Sequence, residues 1–263
     1  MKRSSRARIG ATATVSVLSL ALITGCGGGS DDDSKGSGTS KEAGSSASPS
    51  TTTAAKALSA AALKKLFLAK GDVAGYEVDT AVDGSLPKSK SEVKTDKTDC
   101  APLAHAMAGL APGGTDASAS YTVTKTPTTT ASPDDASFED ALDVDVTFVG
   151  LSSYDGDGAE KAVKSVSDAI AACSGGFTIS AQGEKQKVTK VAPVKASGKG
   201  EESVAFSVAS DMDGEGTATL NTEVIRAGNT VSSYYTFNFS ALDSGKAAPV
   251  PAAVIDAQLA KLK

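Results

Sequence analysis

Three cysteines and a single histidine limit what this chain can do more than any of its other residues. With His105 alone, a multi-histidine metal site is impossible, and a Ser-His-Asp arrangement would have to use this one residue. No Gly-x-Ser-x-Gly elbow accompanies it. Ala104, Ala106 and Met107 surround it with the pattern of an apolar helix, in which a histidine is structural or lies at the surface. Cys26 follows directly on an apolar run and has a use of its own, which leaves Cys100 and Cys173 as an even pair. In a secreted chain a disulfide between them is the economical reading, and two buried free thiols are the alternative. The bond would close a loop of roughly 70 residues, for which chain entropy gives about 4 kcal/mol before native strain is subtracted.

The use of Cys26 is set by what precedes it. Lys2, Arg3, Arg6 and Arg8 form a positive segment, and Ile9 to Ile23 is a nearly uncharged apolar stretch, the layout of a secretory signal peptide over residues 1–25. At about 15 residues the apolar run is shorter than the ~20 that cross a bilayer as a helix. Leu22-Ile23-Thr24-Gly25-Cys26 resembles the bacterial lipobox, in which small residues precede a cysteine whose thiol accepts a diacylglyceryl group before the signal is cut away. Ordinary signal cleavage after Gly25 would put the bulky Ile23 where a small residue is favoured. The two hydrophobic chains of that covalent lipid on Cys26 suffice for stable attachment to the outer face of the cell membrane. Beyond this lipid no cofactor is expected.

Residues 26–55 follow as a lipidated cysteine and a tether of Gly, Ser, Thr, Asp, Lys and Pro without apolar periodicity, which nothing would repay for becoming ordered. About 30 such residues span roughly 30 Å, enough to lift a domain clear of the headgroups. Asp31-Asp32-Asp33 within it reads as a solvated spacer. Removing the signal leaves 22 basic residues against 31 acidic ones, a net charge of −9. With no basic stripe to gain from counterion release, nucleic acid is excluded as a partner.

Two acidic runs invite a calcium reading and lose it on spacing. Asp211-Met212-Asp213-Gly214-Glu215-Gly216 has the front half of an EF-hand loop, but position twelve is Thr222 instead of a bidentate Glu. The run joins two strand-like stretches and is expected to be a polar hairpin turn. Asp155-Gly156-Asp157-Gly158 has Glu160 where the calcium loop needs Gly, and acidic residues suit the first turn of a helix. No metal ligand and no catalytic residue is assigned.

The elements that would position any site occupy residues 56–263, read as one extracytoplasmic domain. Ala62, Leu63, Leu66 and Phe67 predict a helix from Ser59 to Lys70, with Ser59 as N-cap and Gly71 as the stop. Cys100 to Leu110, with Pro102 near its start and Gly109 at its end, predicts a second. Asp157 to Cys173 is the clearest helix, because Ala159, Ala162, Val163, Val166, Ala169, Ile170 and Cys173 share one face. Val144 to Phe148 and Val204 to Val208 alternate as strands. Ala218 to Arg226 and Val231 to Phe239 are expected to form a hairpin across Ala227-Gly228-Asn229. Tyr234, Tyr235, Phe237 and Phe239 there are expected to pack in the core in preference to lining a pocket. Ala252, Ile255, Leu259 and Leu262 predict a closing helix. Adjacent strands with helices before, between and after them indicate an α+β domain on a twisted antiparallel sheet flanked by helices.

The layout resembles actinobacterial cell-envelope lipoproteins: a lipobox, a Ser/Thr-rich tether, and Leu66-Phe67-Leu68-Ala69-Lys70-Gly71-Asp72-Val73-Ala74-Gly75-Tyr76 opening the domain. Val149-Gly150-Leu151-Ser152-Ser153-Tyr154, Ala171-Ala172-Cys173, Val204-Ala205-Phe206 and Gly228-Asn229-Thr230-Val231 are similar to the extracellular sensor domain of mycobacterial serine/threonine kinases. That resemblance implies a twisted antiparallel sheet flanked by helices and a cleft for an extracytoplasmic ligand. The chain departs from the pattern in having one cysteine pair where the family has two disulfides, and Ile170 in place of a Trp ahead of the helical cysteine. Kinase catalytic signatures are absent. The expected function is a non-catalytic ligand-binding or sensor-like domain held on the membrane, with a small molecule, lipid or envelope protein as ligand and the ligand-binding residues unknown. A structural or interaction protein of the envelope is the alternative, and a hydrolase using His105 the third reading.

Overall fold

The computed structural model describes residues 56–81, 86–115, 117–126, 143–212, 216–238, 240 and 246–263. Cys26 and the expected signal and tether lie outside the described residues. Those described fall in one compact unit, Thr51–Lys263. In chain order the elements are α1 (Ala60–Lys64), β1 (Tyr76–Asp79), β2 (Val93–Thr95), α2 (Ala101–Met107), β3 (Ser118–Lys125), β4 (Asp145–Ser153) and α3 (Gly158–Ala172). They continue with β5 (Phe177–Ala181), β6 (Glu184–Val194), β7 (Glu202–Asp211), β8 (Thr217–Ala227), β9 (Thr230–Asn238) and α4 (Ala252–Lys261). The nine strands form one sheet in the order β1-β3-β4-β9-β8-β7-β6-β5-β2, antiparallel throughout. This is the expected α+β class.

Successive side chains of a strand leave on opposite faces, and here both faces are covered. Val231 of β9, Val224 of β8 and Phe206 and Val208 of β7 join the core that holds α2 and α3. Tyr234, Ile225 of β8, and Val149 and Leu151 of β4 join a second core with Leu63 of α1 and Val254 and Ile255 of α4. The central strands are therefore buried at both parities. Thr147 and Thr236, both buried, satisfy each other's hydroxyls at 3.1 Å.

α3 follows its sequence pattern closely: Ala159, Ala162, Val163, Val166, Ala169 and Ile170 are buried, with Cys173 as C-cap. Its outer face carries i,i+4 pairs between Asp157 and Lys161 and between Lys164 and Asp168, each 2.8 Å. α2 starts with Pro102 in its first turn and ends at Gly109, whose φ is +68°. There the Gly109 amide donates to the Ala106 carbonyl and the Leu110 amide to that of His105, which closes the helix with a Schellman motif.

The first helix is shorter than its periodicity predicts. Ser59 Oγ accepts from the Ala62 amide at 3.2 Å as expected, but α1 stops at Lys64. The Leu66 and Phe67 amides then bond three residues back, to Leu63 and Lys64, tightening the turn. Phe67 and the adjacent Leu68 are both buried, and neighbouring residues on a continuing helix would not reach the same core from this position. α4 departs differently from its expected stripe. Ala252 is exposed, and the buried positions are Val254, Ile255 and Gln258. Gln258 accepts from the Tyr121 hydroxyl and donates Nε2 to the Leu66 carbonyl at 2.9 Å. A polar side chain thus satisfies a carbonyl just past the end of α1 and a buried phenol at once.

The leading end of the domain is pinned by three bonds. The Ala57 amide donates to Asp155 Oδ1 at 2.7 Å, the Leu58 amide to Ser153 Oγ at 2.9 Å, and Asn229 Nδ2 to the Lys56 carbonyl at 2.9 Å. Asn229 sits in the two-residue loop of the β8–β9 hairpin, where Ala227 pairs with Thr230 and Gly228 supplies a φ of +61°.

Candidate functional site

The sheet curls about α2, so that residues from β4 and β9 and residues from the distant β2 and β5 line the same space. A cavity of about 390 Å³ lies there. Val146 and Phe148 of β4 and Tyr235 and Phe237 of β9 form one wall, and Val93 of β2 and Ile179 and Ala181 of β5 the facing one. Met107 and Ala108 at the end of α2, with Leu86 and Pro87, complete it. The Phe148 and Tyr235 rings lie 5.9 Å apart between centroids, tilted by 40°, a favourable aromatic arrangement. Among the described residues no charged side chain lines the cavity, and the amide there, Gln186 of β6, is oriented by donating Nε2 to Ser210 Oγ at 3.2 Å. An apolar hollow of this size with a single oriented polar group is suited to a hydrophobic small molecule.

A second hollow of comparable size between α3 and β7 is of another kind, lined by Glu160, Lys161, Lys164, Asp168 and Glu202. Lys161, Lys164, Asp168 and Glu202 are held in ion pairs with Asp157, with one another and with Arg226. It is a solvated charged surface.

Cys100 and Cys173 are bonded, with Cα atoms 5.9 Å apart, and both are fully buried. The bond ties the turn ahead of α2 to the end of α3. It therefore fixes the helix that supplies one wall of the cavity. His105 stands on the same helix, and no hydrogen bond joins its imidazole to a Ser or Asp side chain among the described residues. Burial, and after it the positive charge of Lys90, lowers its pKa from 6.5 to about 4. The unfolded chain then takes up a proton between these values that the folded chain refuses, so the contribution is full above pH 6.5 and is lost as pH falls through about 4. We expect the unfolding midpoint in urea to drop across this window, and His105→Gln to flatten that drop.

The acidic runs fall where a structural reading puts them. Asp211 ends β7 in register with Thr217 of β8, a hairpin connection, with Asp213, Gly214 and Glu215 outside the described residues. Asp155 pins the leading end and Asp157 precedes α3. The aromatic expectation holds in part: Tyr234 is in the second core, Tyr235 and Phe237 are half-buried, packing against the first core and also lining the cavity, and Phe239 lies outside the described residues. Met107, Phe148 and Gln186 were not singled out by sequence reasoning. Phe148 alone had a sequence signal, a strand apolar at both parities as in Phe148-Val149, whereas Met107 on α2 and the polar Gln186 of β6 had none.

The fold and cavity define an α+β protein with an open, curled, nine-stranded antiparallel sheet and an apolar hollow, open to solvent, between that sheet and α2. Among solved structures it is similar to the extracellular domain of PknH from Mycobacterium tuberculosis, with a TM-score of 0.42 and 12% sequence identity over 79% of this chain and 95% of that one. No protein family and no curated protein matches the sequence.

Proposed function

We propose that this chain is an exported lipoprotein, anchored through Cys26, whose domain binds a hydrophobic small molecule without catalysing a reaction on it. The observation that carries the ligand-binding reading is the apolar cavity between α2 and the curled sheet, lined by no charged side chain among the described residues. The signal-like segment, the lipobox and the sequence resemblance to an extracytoplasmic sensor domain support the location and the sensor-like role. Ligand occupancy would act on α2, the wall that is held by a disulfide at one end only.

Titration of the mature protein with a fluorescent fatty acid, cis-parinaric acid, tests the site. Saturable binding is expected, weakened at least tenfold by Phe148→Glu, about 1.4 kcal/mol. A negative charge placed in an apolar hollow draws in water and repels the probe's carboxylate. Absence of saturable binding, or equal binding by a folded Phe148→Glu protein, overturns the assignment. The anchor is checked in the same protein by incorporation of labelled fatty acid in cells, which Cys26→Ala should abolish.

A further inference from the structure

Beside the start of α4, on the face of the sheet opposite the apolar cavity, lies a hollow of about 290 Å³. Val194, Val250 and Ile255 supply its apolar walls, and Lys195, Asn221 and Glu223 its polar ones. Val194 is one of two large apolar residues that the described surface leaves exposed. Glu223 is the anomaly, a carboxylate on a residue only 5% exposed. A carboxylate withdrawn from water this far is ordinarily met by a cation or by donors to both oxygens.

Here both donors reach the same oxygen. The Ser197 amide at 2.8 Å and its hydroxyl at 2.6 Å converge on Oε1 of Glu223. Among the described residues nothing donates to Oε2, and no lysine or arginine pairs with this carboxylate. Lys199, the nearest cation along the loop after Ser197, is paired with Asp256. Directly across the β8–β9 ladder from Glu223 is Tyr234, fully buried, with a hydroxyl that makes no hydrogen bond of normal geometry. Its polar surroundings are Ser232 and the carboxylates of Glu223 and Asp256. Unused hydrogen-bonding capacity is therefore gathered on this face.

We infer that this hollow receives a small zwitterion, an α-amino acid, with its ammonium group on Oε2 of Glu223 and its carboxylate on Lys195. The charges set this choice. A lone carboxylate would bring its charge to Glu223, and a lone amine would leave the exposed Lys195 as an unfavourable neighbour. A divalent cation needs several oxygen ligands, and no cluster of three metal-ligating side chains occurs among the described residues. The apolar walls suit an aliphatic side chain.

Three probes with the same isobutyl side chain separate the terms: L-leucine, isopentylamine, which lacks its carboxylate, and 4-methylpentanoate, which lacks its ammonium, each titrated into the ¹⁵N-labelled mature protein. L-leucine should shift the Ser197, Asn221 and Val250 amides saturably, isopentylamine more weakly, and 4-methylpentanoate not at all. Glu223→Gln keeps an acceptor for Ser197 and should weaken L-leucine at least tenfold, while leaving cis-parinaric acid binding in the other cavity unchanged. Lys195→Met, at an exposed position, should bring L-leucine down to the level of isopentylamine. No saturable shift with millimolar L-leucine would mean that the hollow holds only water and overturns the inference. Unchanged L-leucine affinity in Glu223→Gln or in Lys195→Met, or 4-methylpentanoate binding as well as L-leucine, overturns it equally.

Discussion

The double substitution Cys100→Ser, Cys173→Ser will lower the free energy of unfolding by about 4 kcal/mol, read as a shifted midpoint in urea at unchanged slope. The two residues are separated by 73 positions, and freeing that loop returns conformational entropy mainly to the unfolded chain. Exchanging both cysteines avoids leaving a thiol to form other bridges. The loss should be larger than for most single contacts in a domain of this size, because three of the six buried residues on the helix leading to Cys173 are alanines, which bury little area each. It should also reach the cavity: with α2 released at its first turn, cis-parinaric acid is expected to bind more weakly than the stability change alone explains. A loss below about 1 kcal/mol would mean that packing alone holds α2 against α3 and that the bond constrains nothing.

Gly176→Ala is expected to cost about 3 kcal/mol, combining a left-handed backbone with overpacking. Gly176 has a φ of +82°, and a Cβ there would lie 2.2 Å from the Val188 carbonyl oxygen and 2.8 Å from the Thr189 carbonyl carbon. These atoms belong to the irregularity in β6 where the pairing with β7 shifts between Val188 and Lys190. The neighbour cannot yield as a flexible side chain would. The glycine also holds two contacts that fix the exit from α3: its amide donates to the Cys173 carbonyl at 2.8 Å, and its own carbonyl accepts from Lys97 Nζ at 2.6 Å. Thermal unfolding followed by circular dichroism checks the effect. Since Cys173 is three residues away, the glycine and cysteine substitutions should combine non-additively. An alanine variant as stable as the parent would contradict the close approach of the two backbones.

The particular elements explain how far the sequence was legible. α3 could be read almost residue by residue, because one face packs on the sheet and the other meets solvent, so its period is clean. The β8–β9 hairpin was legible for a similar reason, with Gly228-Asn229 marking the turn between two apolar alternations. β6 was not, since Glu184 to Lys190 is mostly polar and holds its place by ladder bonds and a few inward residues, Val188 and Val191. β3, Ser118–Lys125, presents Ala119, Tyr121 and Val123 to the second core, but small residues there weakened the signal. A glutamine at position 258 is a poor sign of burial on any scale, and only the Tyr121 phenol and the Leu66 carbonyl account for it. The cavity was hidden more deeply. Its walls come from β4 and β9 in the middle of the sheet order and from β5 and β2 at one end of it, and no local pattern records how strongly a sheet curls.

The fastening of Lys56, Ala57 and Leu58 to Ser153, Asp155 and Asn229 has a mechanical consequence. Those bonds lie at the Ser153 end of β4, and Phe148, in the wall of the apolar cavity, is five residues further along, about 17 Å at the usual rise of a strand. Tension along the leading chain would thus load a few side-chain bonds at one rim of the sheet and leave the cavity walls unstrained.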